Sequence, residues 1–154
     1  MIYQDILDER ALERYAADLN ARAHKCSAKG ELDLAGLRDR ILASGGRCEW
    51  CGESLVHGPF ELDHVISLKQ GGGNTTGNLV VACPDCNRRK GQKHPARFAA
   101  EIYNSTGRRT RLIDKILRHF AVEPREQLLL FAADQRAKDT SDTLDLEDQP
   151  RYRW

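Results

Sequence analysis

No stretch of this 154-residue chain approaches 18 uninterrupted apolar residues, which excludes a membrane-spanning helix. The opening segment, Met1 to Tyr15, lacks both a basic flank and an apolar centre, so it does not read as a secretion signal. A soluble, cytoplasmic protein with no membrane partner is expected. Internal repeats are missing too, apart from a pair of Cys-x-x-Cys segments. The length suits one domain with extensions, or a small domain carried on helices. A cysteine-tied central module of that kind is expected to be poor in apolar side chains.

Charge is scarce in net terms, +1 at pH 7, but it is unevenly placed. Acids are absent from Cys86 to Arg97, where Arg88, Arg89, Lys90, Lys93 and Arg97 sum to +5. Between Gly107 and Arg118 one acid, Asp114, stands against five bases for +4. Bases are absent from Asp139 to Asp148, which holds five acids. A basic middle suits a polyanion, although a charge run alone is often no more than a solvated face.

Four segments follow from composition and period: a helical segment over 1–44, a core over 45–94, a helical extension over 95–137, and an acidic tail over 138–154. Leu12, Tyr15, Ala16, Leu19 and Ala23 recur at helical spacing, so a helix is predicted from about Tyr3 to Ala23. Asp33 reads as the N-cap of a second helix presenting Leu34, Leu37 and Ile41, stopped by Ser44 to Gly46. "FELDHVISL" alternates as a strand, "KQGGGNTTGN" is a loop, and "LVVAC" is a second short strand. "PDCNRRKG" opens with proline at a first helical position and ends on glycine. Three more helical patterns follow Pro95, the last over 123–137.

Cys48 and Cys51 form one pair and Cys83 and Cys86 another, with 31 residues between them. Two such turns suit a tetrahedral zinc ion, each presenting two thiolates. Disulfides are the alternative, but a chain without a secretion signal should rarely hold them. A redox pair would not explain two knuckles. Four thiolates fill the zinc shell, so this metal is expected to staple rather than catalyse. His57 is discounted as a ligand, and Cys26 is expected to be a small core residue at the trailing end of the first helix.

A staple does not require an Asp-His pair at a strand end or an asparagine beside its last ligand. Taken singly, Asp63, His64, Asn78 and Asn87 have plain readings as surface or turn residues. Taken together, "CEWCGE…ELDHVISLKQGGGNTTGNLVVACPDCNRRKG" resembles an HNH endonuclease, the ββα-metal or His-Me finger group, over about Gly45 to Gln92. Its third signature position is Asn87 rather than histidine, a variation the family accepts.

The resemblance implies a small zinc-stapled ββα-metal core, and with the helical patterns before and after it the expected fold is α+β, flanked by N-terminal and C-terminal α-helices. It implies hydrolysis of DNA phosphodiester bonds, leaving a 5′ phosphate and a 3′ hydroxyl. His64 would be the general base for water. Asp63 and Asn87 would hold a Mg²⁺ or Mn²⁺ ion through oxygen, beside the structural Zn²⁺ of Cys48, Cys51, Cys83 and Cys86. Asn78 would orient His64, its carbonyl accepting from Nδ1–H and leaving Nε2 free, with Asn74 a weaker candidate for that part. Arg88, Arg89, Lys90 and Lys93 are the expected phosphate contacts, and double-stranded DNA the expected partner, to a monomer or a dimer. The competing expectation is a non-catalytic zinc module that binds nucleic acid or protein. The intact set of Asp63, His64, Asn78 and Asn87 separates the two, since a pure binding module needs none of it.

Overall fold

The computed structural model describes residues 8–120. The start of the first helix before Asp8, the helix predicted over 123–137 and the acidic tail over 138–154 lie outside the described residues. In chain order the elements are α1 (Glu9–Lys25), α2 (Leu34–Ala43), β1 (Glu61–His64), β2 (Leu79–Ala82), α3 (Pro84–Lys90), α4 (Pro95–Thr106) and α5 (Arg111–His119). The described fold is therefore α+β, with five helices around one two-stranded antiparallel sheet.

Local chemistry sets the helix ends. The Asp8 carboxylate caps α1 by accepting from the Arg10 and Ala11 amides, while Arg22 and Lys25 sit in the last turn against the helix dipole. Asp33 caps α2 through the Gly36 amide at 2.7 Å. In α3, Pro84 occupies the first turn, and Gly91 ends the helix at φ 50°. Cys83 caps the same helix, its Sγ accepting from the Cys86 amide at 3.3 Å, so one side chain both caps and belongs to the cysteine cluster.

β1 and β2 pair Glu61 with Ala82, Leu62 with Val81, Asp63 with Val80 and His64 with Leu79. The strand predicted from Phe60 to Leu68 is shorter than its alternation suggested. It ends at His64, where Asn78 takes over the chain's hydrogen bonds. The Asn78 carbonyl accepts from the Val65 amide at 2.8 Å, and its side chain bonds both backbone groups of Ile66. That contact is close enough that Gly72 is obligatory in the loop, since a Cβ there would lie 1.9 Å from the Ile66 oxygen.

The outer edge of β2 is covered rather than left open. The Glu49 amide donates to the Val81 carbonyl at 2.9 Å, and the Glu49 carboxylate accepts from the Val81 amide at 2.7 Å. Arg40 on α2 closes this network, with Nη2 on both Glu49 oxygens at 2.8 and 2.7 Å and Nε on the Leu79 carbonyl at 2.8 Å. Helix, cysteine turn and strand are thus joined by one partly buried ion pair whose arginine also bonds the strand backbone.

The central module does not rely on its own apolar side chains alone. All four residues of β2 are fully buried, and they join Trp50, Phe60, Phe98, Leu12, Leu37, Ile41, Ile102 and Ile113 in one core. The flanking helices supply what the hairpin alone lacks. Trp50, inside the first cysteine turn, meets Phe98 of α4 edge to face at 5.0 Å. Cys26 is also corrected: it caps the end of α1 and is exposed, outside the core.

Candidate active site

The four cysteine sulfurs Cys48, Cys51, Cys83 and Cys86 lie within 4.8 Å of one another and could hold a metal ion. Among the described residues no other cluster of three or more His, Cys, Asp or Glu side chains could do so. His57 is outside the cluster and exposed. Cys48 is drawn down to about 5, chiefly by the hydrogen bond from Cys86. Burial pushes Cys51 up to about 11, and the bond to Cys48 holds Cys86 far above the ordinary thiol range. Zinc is the usual choice for four clustered thiolates.

The cysteines fix where the chemistry can sit. Cys83 and Cys86 anchor the start of α3, and Asn87 follows one residue later on the helix that packs across β1 and β2. Strand alternation puts Glu61 and Asp63 on one face of β1 and Leu62 and His64 on the other. Asn87 Nδ2 donates to Glu61 Oε2 in a short hydrogen bond, which leaves the Asn87 carbonyl oxygen free of that duty. Glu61 was missed in the sequence, although its two-residue spacing from Asp63 was the available signal.

Asp63 faces the buried Lys90. Its Oδ2 is buried and lacks a hydrogen bond of good geometry. The Lys90 ammonium lies 3.0 Å away but donates to the His64 carbonyl at 2.8 Å. Burial raises the Asp63 carboxyl above its ordinary value, and the Lys90 charge opposes that rise only in part. Lys90 itself is fully buried. The expectation that it contacts phosphate is corrected: its charge is committed to Asp63 and the chain end of β1.

His64 is 7% exposed, and its Nε2 lies 3.0 Å from Asn74 Oδ1. Two expectations change here. The partner of the imidazole is Asn74, not Asn78, because Asn78 spends its side chain on Ile66 and on the Gly73 carbonyl at 2.9 Å. The engaged nitrogen is Nε2, not Nδ1. An amide oxygen only accepts, so Nε2 carries the proton and Nδ1 keeps the lone pair. Among the described residues Nδ1 has no hydrogen-bond partner. Burial lowers the His64 pKa from its ordinary 6.5, and the Arg22 and Lys90 charges add to the effect against the Asn74 bond.

The other basic residues divide by exposure. Arg88 and Arg89 stand on the outer face of α3, tied to Asp85 at 2.9 and 3.6 Å. Lys93 pairs with Glu101 of α4 at 2.7 Å and lies over the Phe98 ring. From the second basic run, Arg108 donates to the Cys51 carbonyl at 3.1 Å, which lays that run against the first cysteine turn.

Residues 48–93 match the family model for the HNH endonuclease, so the chain carries an HNH endonuclease domain over the cysteine turns, the hairpin and α3. Over 65 residues it is 38% identical to the type IV methyl-directed restriction enzyme EcoKMcrA of Escherichia coli, covering 38% of this chain and 22% of that protein. It is 36% identical over 53 residues to the CRISPR-associated endonuclease Cas9 of Actinomyces naeslundii, covering 34% of this chain and 5% of that one. Against the Cas9 of Corynebacterium diphtheriae the figures are 39% over 46 residues, 29% and 4%. The chain therefore spans less than a quarter of the length of each of these relatives. No solved structure matches it, and no described helix is long and apolar enough to cross a membrane.

Proposed function

We propose that this chain is a metal-dependent HNH endonuclease that hydrolyses phosphodiester bonds of double-stranded DNA. The carrying observation is that Asn87 of α3 is bonded to Glu61, two residues before Asp63 on β1, with His64 next in the same strand and all four inside the matched segment. Residues 45–94 form the nuclease core, with 1–44 and 95–137 as helical flanks. Zn²⁺ on Cys48, Cys51, Cys83 and Cys86 staples β2 and α3 to the upstream turn.

The donors suit a second, hard cation. The Asp63 carboxylate, whose Oδ2 faces Lys90, and an Asn87 amide oxygen whose own NH₂ is held by Glu61 are the oxygen donors that such a cation takes. Asp63 and Asn87 would hold Mg²⁺ or Mn²⁺ there. When bound, that ion supplies Lewis-acid neutralisation of charge on the scissile phosphate and on the departing 3′ oxygen. His64 Nδ1 accepts a proton from water as the water oxygen attacks phosphorus. The bond from phosphorus to the 3′ oxygen then breaks, leaving a 5′ phosphate and a 3′ hydroxyl protonated from solvent. Burial keeps the imidazole neutral and ready to accept. Asn78 holds the glycine-rich loop against Ile66, and Arg88 and Arg89 meet neighbouring phosphates from the outer face of α3.

Supercoiled plasmid offered to zinc-loaded protein tests this. Nicking is expected with Mg²⁺ or Mn²⁺, none with EDTA, and recovery when the ions are restored. Gel retardation of DNA without any nicking under these conditions would overturn the reading in favour of a binding module.

A further inference from the structure

The orientation of His64 depends on a side chain outside the segment that matches the HNH family. The chain of hydrogen bonds begins at the Leu32 backbone, whose donor and acceptor are fixed by chemistry. The Leu32 amide donates to Asn20 Oδ1 at 2.9 Å, and the Leu32 carbonyl accepts from Asn20 Nδ2 at 3.0 Å. The Asn20 amide on α1 therefore has one orientation. Its oxygen accepts from Asn74 Nδ2 at 2.7 Å, which turns the Asn74 oxygen onto His64 Nε2 at 3.0 Å.

Asn74 cannot move as a whole. It is fully buried, its amide donates to the Lys29 carbonyl at 2.6 Å, and a Cβ on Gly30 would lie 2.8 Å from its carbonyl oxygen. Its one remaining freedom is rotation of the side-chain amide, and Asn20 decides that. With the amide reversed, an NH₂ group would face Nε2, and the neutral imidazole would carry its proton on Nδ1 instead.

We propose that Asn20 is a positioning residue which, through Asn74, holds neutral His64 in the tautomer protonated on Nε2. Its consequence for catalysis rests on the nuclease reading above, but the tautomer does not. Helix α1 is thus a working part of the site, although it lies outside residues 48–93.

Long-range ¹H–¹⁵N spectra of the zinc-loaded full chain, without Mg²⁺ and near pH ~8 where histidine is neutral, read the tautomer directly. His64 is identified by its missing signal in His64→Gln. Wild type is expected to show the Nε2–H pattern. Asn20→Ala and Asn20→Ser, the latter too short to reach Asn74 yet still polar beside Leu32, are expected to show a mixture of tautomers. Their kcat for plasmid nicking should fall about tenfold with KM nearly unchanged, the order by which an outer hydrogen-bond partner tunes a site.

Adding Asn74→Asp to Asn20→Ala should restore the Nε2–H pattern, because either carboxylate oxygen accepts whichever way the group rotates. A wild-type pattern in both single variants, or a persisting mixture in the double variant, would overturn the proposal. If wild type fails to nick, the nuclease reading falls while the spectra still decide the role of Asn20.

Discussion

Lys90 places an ammonium where no surface of it meets water, with Asp63 and the His64 carbonyl as its neighbours. Removing one partner of a buried pair strands the other charge, at about 3–5 kcal/mol. Lys90→Met is expected to destabilise by that order in urea unfolding, with most of the loss recovered in Lys90→Met/Asp63→Asn. A phosphate-binding lysine would instead leave stability near wild type. His64 gives a pH signature in protein without added divalent cation. Its pKa is held below 6.5 by burial, so the unfolded chain binds the proton first as pH falls. The stability it contributes is complete above about 6.5 and is lost as pH drops through the folded value. The melting temperature of wild type should therefore fall more steeply from about pH 7.5 to 5.5 than that of His64→Gln, since Asp63 is common to both. Parallel curves would contradict it. Residues of this kind were half legible. The position of His64 followed from its motif, but its partner Asn74 stood only as the weaker candidate behind Asn78. Asn20 and Asn74 are 54 residues apart and pair through two amides that leave no periodic mark in the sequence.

At the level of elements, caps and turns carried most of the readable information. Asp33, Pro84 and Gly91 stand where helix chemistry demands them, and the two strands lie where the alternating and apolar runs put them. What stayed hidden was the clamp between elements. Arg40 and Glu49 look like ordinary surface charges, yet they tie α2 to the edge of β2. Trp50, between two of the cysteines, is buried against Phe98. Phe98 also lies under the Arg89 and Lys93 side chains, at 6.0 and 5.8 Å. Phe98→Ala is expected to cost about 3–5 kcal/mol, measured as a shift in the denaturant midpoint, and Phe98→Leu less than about 1.5 kcal/mol. An Ala variant as stable as the Leu variant would show that α4 is not clamped to the first cysteine turn through this ring.

For the whole molecule, the helices before and after the HNH domain share its core instead of hanging from it. The amphipathic face of α1 announced that some partner existed, and only folding shows that it packs on α2 and reaches the glycine-rich loop through Asn20 and Asn74. The cysteines then divide the labour with the flanks: four sulfurs that could hold a metal ion join the start of α3 to the first cysteine turn, and the flanking helices add their apolar side chains to the same core. Every role proposed for the site passes through one imidazole nitrogen. The most direct measurement is the single-turnover nicking rate of supercoiled plasmid by zinc-loaded wild type and His64→Ala, with Mg²⁺ and with zinc content and folding matched. A fall of about 10²–10⁴-fold is expected for loss of a general base. Equal rates for the two proteins would contradict the assignment of His64 as that base.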